Sequence, residues 1–240
     1  MNLFVANWKM NMTRAEARDY ARRLAEILGD GDPGVELVIA PPYTALDAAR
    51  DPGGRWSLAG QNVAAETGGA YTGETSARML ADAGCRYVLV GHSERRRLFG
   101  EESGVLARKL ARVREAGLTP IYCLGETEEE REEGLTATVL VAQVETLERD
   151  PSDAPLVVAY EPVWAIGTGK AATAEDAGSA RVHLAELLSA RRGVRILYGG
   201  SVTAENARKL LETARVDGFL IGGASLKPAA FAAIAGIEQH

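Results

Sequence analysis

Long apolar runs are missing from this 240-residue chain: no uninterrupted stretch reaches the roughly 18 residues that a membrane-spanning helix needs. Cysteine is scarce, with only Cys85 and Cys123, so no disulfide framework is expected. No group of His and Cys has the spacing of a metal site, and neither a metal nor a cofactor is anticipated. A basic excess is also lacking. The 27 Lys and Arg are outnumbered by 33 Asp and Glu, and the net charge of −6 argues against a general nucleic-acid binder. Lysine is rare beside arginine, a bias that does not match the usual Lys/Glu signature of hyperthermophiles. Met1-Asn2-Leu3 enters an apolar run without a basic segment or a small-residue cleavage site, so a cytoplasmic protein without a signal peptide is expected. Asn11-Met12-Thr13 fits a glycosylation sequon, but in an unexported chain the match reads as chance. Finally, no Pro/Ser-rich linker or low-complexity segment marks a boundary. With 46% hydrophobic residues the chain can bury a substantial core, and a single domain over residues 1–240 is expected.

What is present is alternation. Short apolar runs recur at Leu3 to Ala6, Val35 to Ala40, Leu58 to Gly60, Tyr87 to Val90, Thr119 to Leu124, Leu156 to Tyr160, Arg195 to Tyr198 and Gly218 to Ile221. Between them lie stretches with helical periodicity: Thr13 to Leu28, Leu106 to Ala116, Leu135 to Leu147, Thr173 to Ala190 and Thr203 to Ala214. Thr44 to Ala49 and Ser76 to Ala83 complete the count less clearly. Thr173 followed by Asp176, and Thr203 followed by Asn206, read as helix starts. The acidic run Glu126 to Glu133 reads as a solvated helix start. Eight strand–helix alternations predict an α/β fold of the (β/α)8 barrel type. A doubly wound open sheet would want a glycine fingerprint after its first strand, and Asn7-Trp8-Lys9-Met10-Asn11 has none.

In such a barrel, chemistry sits where strands end and loops begin. Those positions hold Asn7 and Lys9 after the first strand, His92 and Glu94 after the fourth, and Glu161 after the sixth. Gly199-Gly200-Ser201 and Gly222-Gly223-Ala224-Ser225 follow the last two strands and offer backbone N–H groups to a phosphate. Taken singly, Lys9 could be a solvated charge, His92 a structural histidine, and the glycines ordinary turns. A cation, an imidazole, a carboxylate and two glycine turns at one end of one fold instead suggest proton transfer beside a carbonyl. His183 and His240 have no polar company and receive no role. The segment Tyr160 to Lys170 carries the most information. Glu161 is followed by Pro162, by the large apolar residues Trp164 and Ile166, and by Gly167 and Gly169, which is the composition of a lid hinged on a base; a tight turn with a packed Trp is the alternative.

Together, Asn7-Trp8-Lys9-Met10-Asn11, Gly91-His92-Ser93-Glu94-Arg95-Arg96, Ala159 through Lys170, Tyr198-Gly199-Gly200-Ser201-Val202 and Gly222-Gly223-Ala224-Ser225-Leu226 resemble the triosephosphate isomerase family in order and spacing. The resemblance implies a TIM barrel that isomerises dihydroxyacetone phosphate and glyceraldehyde 3-phosphate without a cofactor. It implies Glu161 as base and His92 as neutral electrophile, a role assignment that belongs to the family and is not deduced from this sequence. Lys9 would supply a fixed positive charge, Asn7 would donate a hydrogen bond to the substrate oxygens, and Glu94 would orient Lys9. Gly167, Gly200, Ser201, Gly222 and Gly223 would hold the phosphate, with Ile166 to Thr168 in the lid and Lys170 at its far hinge. The long loop Gln61 to Thr75, which could otherwise be a disordered excursion, would insert into a partner subunit, with Thr72 near the partner's Asn7 and Lys9 region. A homodimer is the expectation, with a tetramer left open. Two rivals are weighed: another phosphate-binding barrel isomerase with a larger sugar substrate, and a non-catalytic binding barrel. Neither needs a lid, a base and an imidazole together.

Overall fold

The computed structural model describes residues 1–148, 150, 153–166 and 172–237. Eight parallel strands close into a barrel in sequence order: β1 (Leu3–Asn7), β2 (Glu36–Ala40), β3 (Trp56–Gly60), β4 (Cys85–Val90), β5 (Thr119–Leu124), β6 (Leu156–Tyr160), β7 (Val194–Tyr198) and β8 (Gly218–Ile221). β8 returns to β1, pairing Gly218 with Leu3 and Ile221 with Ala6. The strands end within one or two residues of the apolar runs, because burial on both faces leaves parallel strands almost wholly apolar.

The helices described are α1 (Arg14–Leu28), α2 (Ala77–Asp82), α3 (Ser93–Phe99), α4 (Ser103–Glu115), α5 (Glu128–Glu132), α6 (Thr136–Glu145), α7 (Ala174–Leu187), α8 (Ala204–Ala214) and α9 (Pro228–Ile234). Thr13 starts α1 through a capping box with Glu16, and Thr173 starts α7 through the same device with Asp176. Asn206 accepts from the Thr203 N–H at the start of α8. The segment Thr44 to Ala49 is not an α-helix. It forms two three-residue 3-10 turns, Tyr43–Ala45 and Asp47–Ala49, so the β2–β3 connection is the barrel's thinnest. α9 escaped the periodicity reading, although Pro228 in its first turn is a legible start signal. Among the described residues no helix is long and apolar enough to cross a membrane.

Alternation along each strand creates two apolar layers. Leu3, Val5, Val38, Leu89, Ile121, Val157, Ala159, Leu197 and Leu220 fill the barrel interior. Their neighbours Phe4, Ala6, Ile39, Val88, Tyr122, Val158 and Phe219 pack outward against the helices. Side chains alternate with a period of two, so each strand's inward set is fixed by parity. At the strand N-termini, Glu36 accepts from Tyr87 and from Arg195, whose guanidinium also donates to the Tyr87 hydroxyl, closing that end with satisfied polar groups. The opposite end is left open for chemistry.

Candidate active site

Parity carries directly into the site. Asn7 follows inward Val5, Glu161 follows inward Ala159, Gly199 follows Leu197, and Gly222 follows Leu220, each two residues further along its strand. All four therefore point into the open end. At the two glycine positions the absence of a side chain makes room for the others. A Cβ on Gly199 would lie 2.9 Å from Glu161 Cγ, and one on Gly222 would lie 3.3 Å from Lys9 Cε.

His92 caps the N-terminus of α3 immediately after β4. Its Nδ1 accepts the Glu94 N–H at 3.3 Å. A nitrogen that accepts from a backbone amide presents a lone pair, which leaves Nε2 as the nitrogen able to donate. Nε2 faces Glu161 Oε1 at 3.1 Å. The other carboxylate oxygen, Oε2, accepts the Ser93 N–H at 2.8 Å. Glu161 is almost wholly buried, yet its charge is met by two donors and by the N-terminal end of α3. Beside it lies Cys123, whose thiol is held well above its usual pKa, first by burial and then by the Glu161 charge. Neither cysteine is in a disulfide, and both are buried.

Lys9 has a left-handed backbone, φ 51°, unusual for a non-glycine residue. Asn7 sustains it: its Oδ1 accepts the Lys9 N–H at 3.0 Å. Gln61 adds a second brace by donating to the carbonyls of Lys9 and Ala40, each at 2.8 Å. The ammonium then reaches Glu94 Oε1 at 2.7 Å. Burial by itself would raise the Glu94 carboxyl, but the Lys9 hydrogen bond and charge outweigh it and hold the group below its usual range. In sequence Gln61 marks only the start of a long loop. A lone glutamine carries no local signal, and its role comes from the β3 end lying beside the β1 loop.

A cavity of about 310 Å³ is lined by Asn7, Lys9, His92 and Glu161 together with Gly199 to Thr203 and Gly222 to Ala224. All predicted site residues among those described, Gly200, Ser201, Gly223 and Glu94 included, are thus gathered at this end. Gly167 lies outside the described residues, as do Thr168, Gly169, Lys170 and His240. Residues 163–166, the start of the segment expected to act as a lid, are described. Val163–Ala165 forms a 3-10 turn, the Ser201 hydroxyl donates to the Ala165 carbonyl at 2.9 Å, and Ile166 reaches the cavity. Trp164 is packed rather than loose: its Nε1 donates to Glu126 at 2.8 Å, and Arg131 stacks on the ring at 4.3 Å. Here the sequence reading needs correction. Glu126 is not part of a solvated helix start. It is fully buried and also accepts from the Tyr160 hydroxyl, and only from Thr127 onward does the run behave as a capped surface helix. The acidic composition concealed it, because one buried carboxylate among exposed ones looks the same in sequence. Among the described residues, no group of His, Cys, Asp and Glu is arranged to hold a metal ion.

The family described as triosephosphate isomerase matches residues 2–238. A triosephosphate isomerase of Nitratidesulfovibrio vulgaris is 48% identical over 97% of this chain and 98% of its own length. One from Symbiobacterium thermophilum is 47% identical over 97% of this chain and 94% of its own. One from Chlorobium phaeobacteroides is 45% identical, covering 97% and 96% respectively. With that coverage, and with a closed eight-stranded barrel whose open end gathers the predicted groups, this chain belongs to the triosephosphate isomerase family.

Proposed function

We propose that the chain interconverts dihydroxyacetone phosphate and D-glyceraldehyde 3-phosphate through an enediolate, acting as one catalytic domain over residues 1–240. The observation that carries this reading is the His92–Glu161 pair, 3.1 Å apart in a cavity that two glycine turns also line. Glu161 takes a proton from the carbon beside the carbonyl. The C–H electrons become the new C=C bond, and the carbonyl π electrons move onto oxygen. The same carboxylic acid then returns its proton to the neighbouring carbon, while the proton of the second hydroxyl passes by way of His92 to the first oxygen, so that the C=C electrons form the new C–H bond and the second oxygen becomes the carbonyl. To do this the carboxylate must leave the Ser93 N–H to which it is bonded. Closure of the expected lid, which carries Gly167, would supply that displacement and exclude water.

His92 donates its Nε2–H to the developing oxyanion, a step that requires the neutral tautomer supported by the Glu94 N–H contact. Lys9 and Asn7 stabilise the same charge, Glu94 holds Lys9 in position, and the backbone of Gly200, Ser201, Gly222 and Gly223 receives the phosphate. The reaction only moves protons and electron pairs within the substrate, so it calls on no cofactor. Its place is cytoplasmic glycolysis and gluconeogenesis.

The assembly is a homodimer. Tyr71, at the tip of the loop from Gln61 to Thr75, is half exposed, and Met10, next to Lys9, is 97% exposed; both are apolar surfaces that a second copy would cover. A coupled assay with glyceraldehyde 3-phosphate tests the activity. Absence of turnover in folded dimeric protein would reject it.

A further inference from the structure

Between the two strands that bear His92 and Glu161 runs a polar brace to which nothing above gives a role. The β4–β5 ladder ends at Val90 and Tyr122, so Gly91 and Cys123 are the next residues on each strand. Both lie just below the reacting groups. Arg96, one turn into α3, folds back over this gap. Its Nε donates to the Gly91 carbonyl at 2.9 Å, and its Nη2 donates to the Cys123 carbonyl at 2.9 Å and to the Tyr122 hydroxyl at 3.1 Å. One planar head thus replaces missing ladder bonds across two strands, a geometry that a lysine ammonium cannot reproduce.

The Tyr122 hydroxyl passes the connection on by donating to the Gln143 carbonyl at 2.8 Å. The Gln143 side-chain amide then pairs with the backbone of Gly125 in both directions. It accepts the Gly125 N–H at 2.8 Å and donates to the Gly125 carbonyl at 3.2 Å. Gly125 in turn is pressed against the base. A Cβ there would fall 1.9 Å from the Glu161 carbonyl oxygen, and the Glu161 N–H is bonded to Leu124 at 2.7 Å. The line Gly91–Arg96–Tyr122–Gln143–Gly125 therefore runs from the residue before His92 to the residue packed against the Glu161 backbone.

We propose that Arg96, acting with Tyr122 and Gln143, is a positioning residue that sets the separation between His92 and Glu161. It touches no substrate and acts through the ends of β4 and β5. The proposal rests on the isomerase reading for its kinetic consequences, but its geometric content does not. A displacement of about 1 Å between reacting groups can cost on the order of a hundredfold in rate. A shift of a few tenths of an ångström should therefore cost about tenfold. The phosphate turns stand on β7 and β8 and accept or donate none of the hydrogen bonds described for the brace, so substrate binding should be spared.

The test uses the full-length protein. Arg96→Met keeps the apolar stem and removes all three donors. kcat should fall about tenfold or more while KM changes less than about threefold, which is the pattern of a disturbed transition state rather than lost binding. Guanidinium added at millimolar concentration to Arg96→Ala should restore part of kcat. Tyr122→Phe, which removes one hydroxyl from a buried ring, covers the case in which the arginine variants fold poorly, and it should lower kcat severalfold at unchanged KM. An activity-independent readout comes from the imidazole nitrogens. The chain has three histidines, so the Nε2–H signal of His92 is assignable by its loss in His92→Gln, and it should shift in Arg96→Met and Tyr122→Phe. If the parent shows no isomerisation but the His92 signal moves, the brace stands and the functional reading falls. Unchanged kcat together with an unmoved His92 signal in Tyr122→Phe overturns the brace. So does a loss in Arg96→Met that appears wholly in KM.

Discussion

Replacing Glu161 with Gln separates the chemical role of this side chain from its structural one, and the geometry sets both magnitudes. The parent carboxylate accepts from two donors, His92 Nε2–H through Oε1 and the Ser93 N–H through Oε2. An amide of the same shape has one accepting oxygen. Its NH2 must then face one of those two donors, leaving a buried donor against a donor. Such a mismatch costs about 1–3 kcal/mol. His92 cannot escape by changing tautomer, because Nδ1 would then lose its bond from the Glu94 N–H. For a chain of this size, each kcal/mol lowers the melting temperature by roughly 2–4 °C. The variant should therefore remain folded but melt measurably lower. Turnover should fall by at least about a hundredfold, since the amide cannot accept the proton. Thermal unfolding and the coupled isomerase assay on the same preparation measure the two effects. Near-parental turnover would refute Glu161 as base. Parental melting with turnover abolished would refute the two-donor account of its resting position.

The other expectations concern charge, assembly and thiols. Lys9→Met should raise KM and lower kcat while fold and dimer persist, and unchanged steady-state constants would reduce Lys9 to a surface charge. Its partner Glu94 is held below the usual carboxylate range, so whatever stability the pair contributes is fully present above the ordinary Glu value of about 4.3 and is lost as pH falls through the lower folded value. The stability difference between parent and Glu94→Gln should thus be flat from neutral pH down to about 5 and close only in more acid solution; a difference that vanishes near pH 6 would contradict it. Deleting Gly68 to Gly73 should give a monomer with an intact barrel and activity lowered by about a hundredfold through displacement of Lys9. Sedimentation that still finds a dimer, or a fully active monomer, would break the link between loop and catalysis. Cys85, whose thiol burial pushes up to about 11, and the deeply buried Cys123 should resist alkylation at pH 8 until the protein is unfolded in urea, and rapid labelling of the native state would show the core to be open.

Much of this protein could be read one residue at a time. Runs such as Leu156 to Tyr160 fix strands because apolar β-branched residues suit a surface buried on both faces, and Thr13 and Thr173 fix helix starts because each satisfies its own first turn. Parity then aims Asn7 and Glu161 inward, and glycines at 199 and 222 leave space beside them. These are local determinants, acting within a few residues, and the motifs that resemble the family are built from them. The rest depended on closure of the barrel. Ser93 and Glu161 meet across 68 residues of chain. Gln61 reaches Lys9 across 52. Glu126 becomes the buried acceptor of Tyr160 and Trp164, although its neighbours in sequence are solvated. A polar side chain's partner is whichever group lies within about 3 Å of it in space, and sequence distance does not encode that separation. Hydrophobic periodicity reports which face is buried. Only the tertiary structure reports what each polar group on that face is buried against.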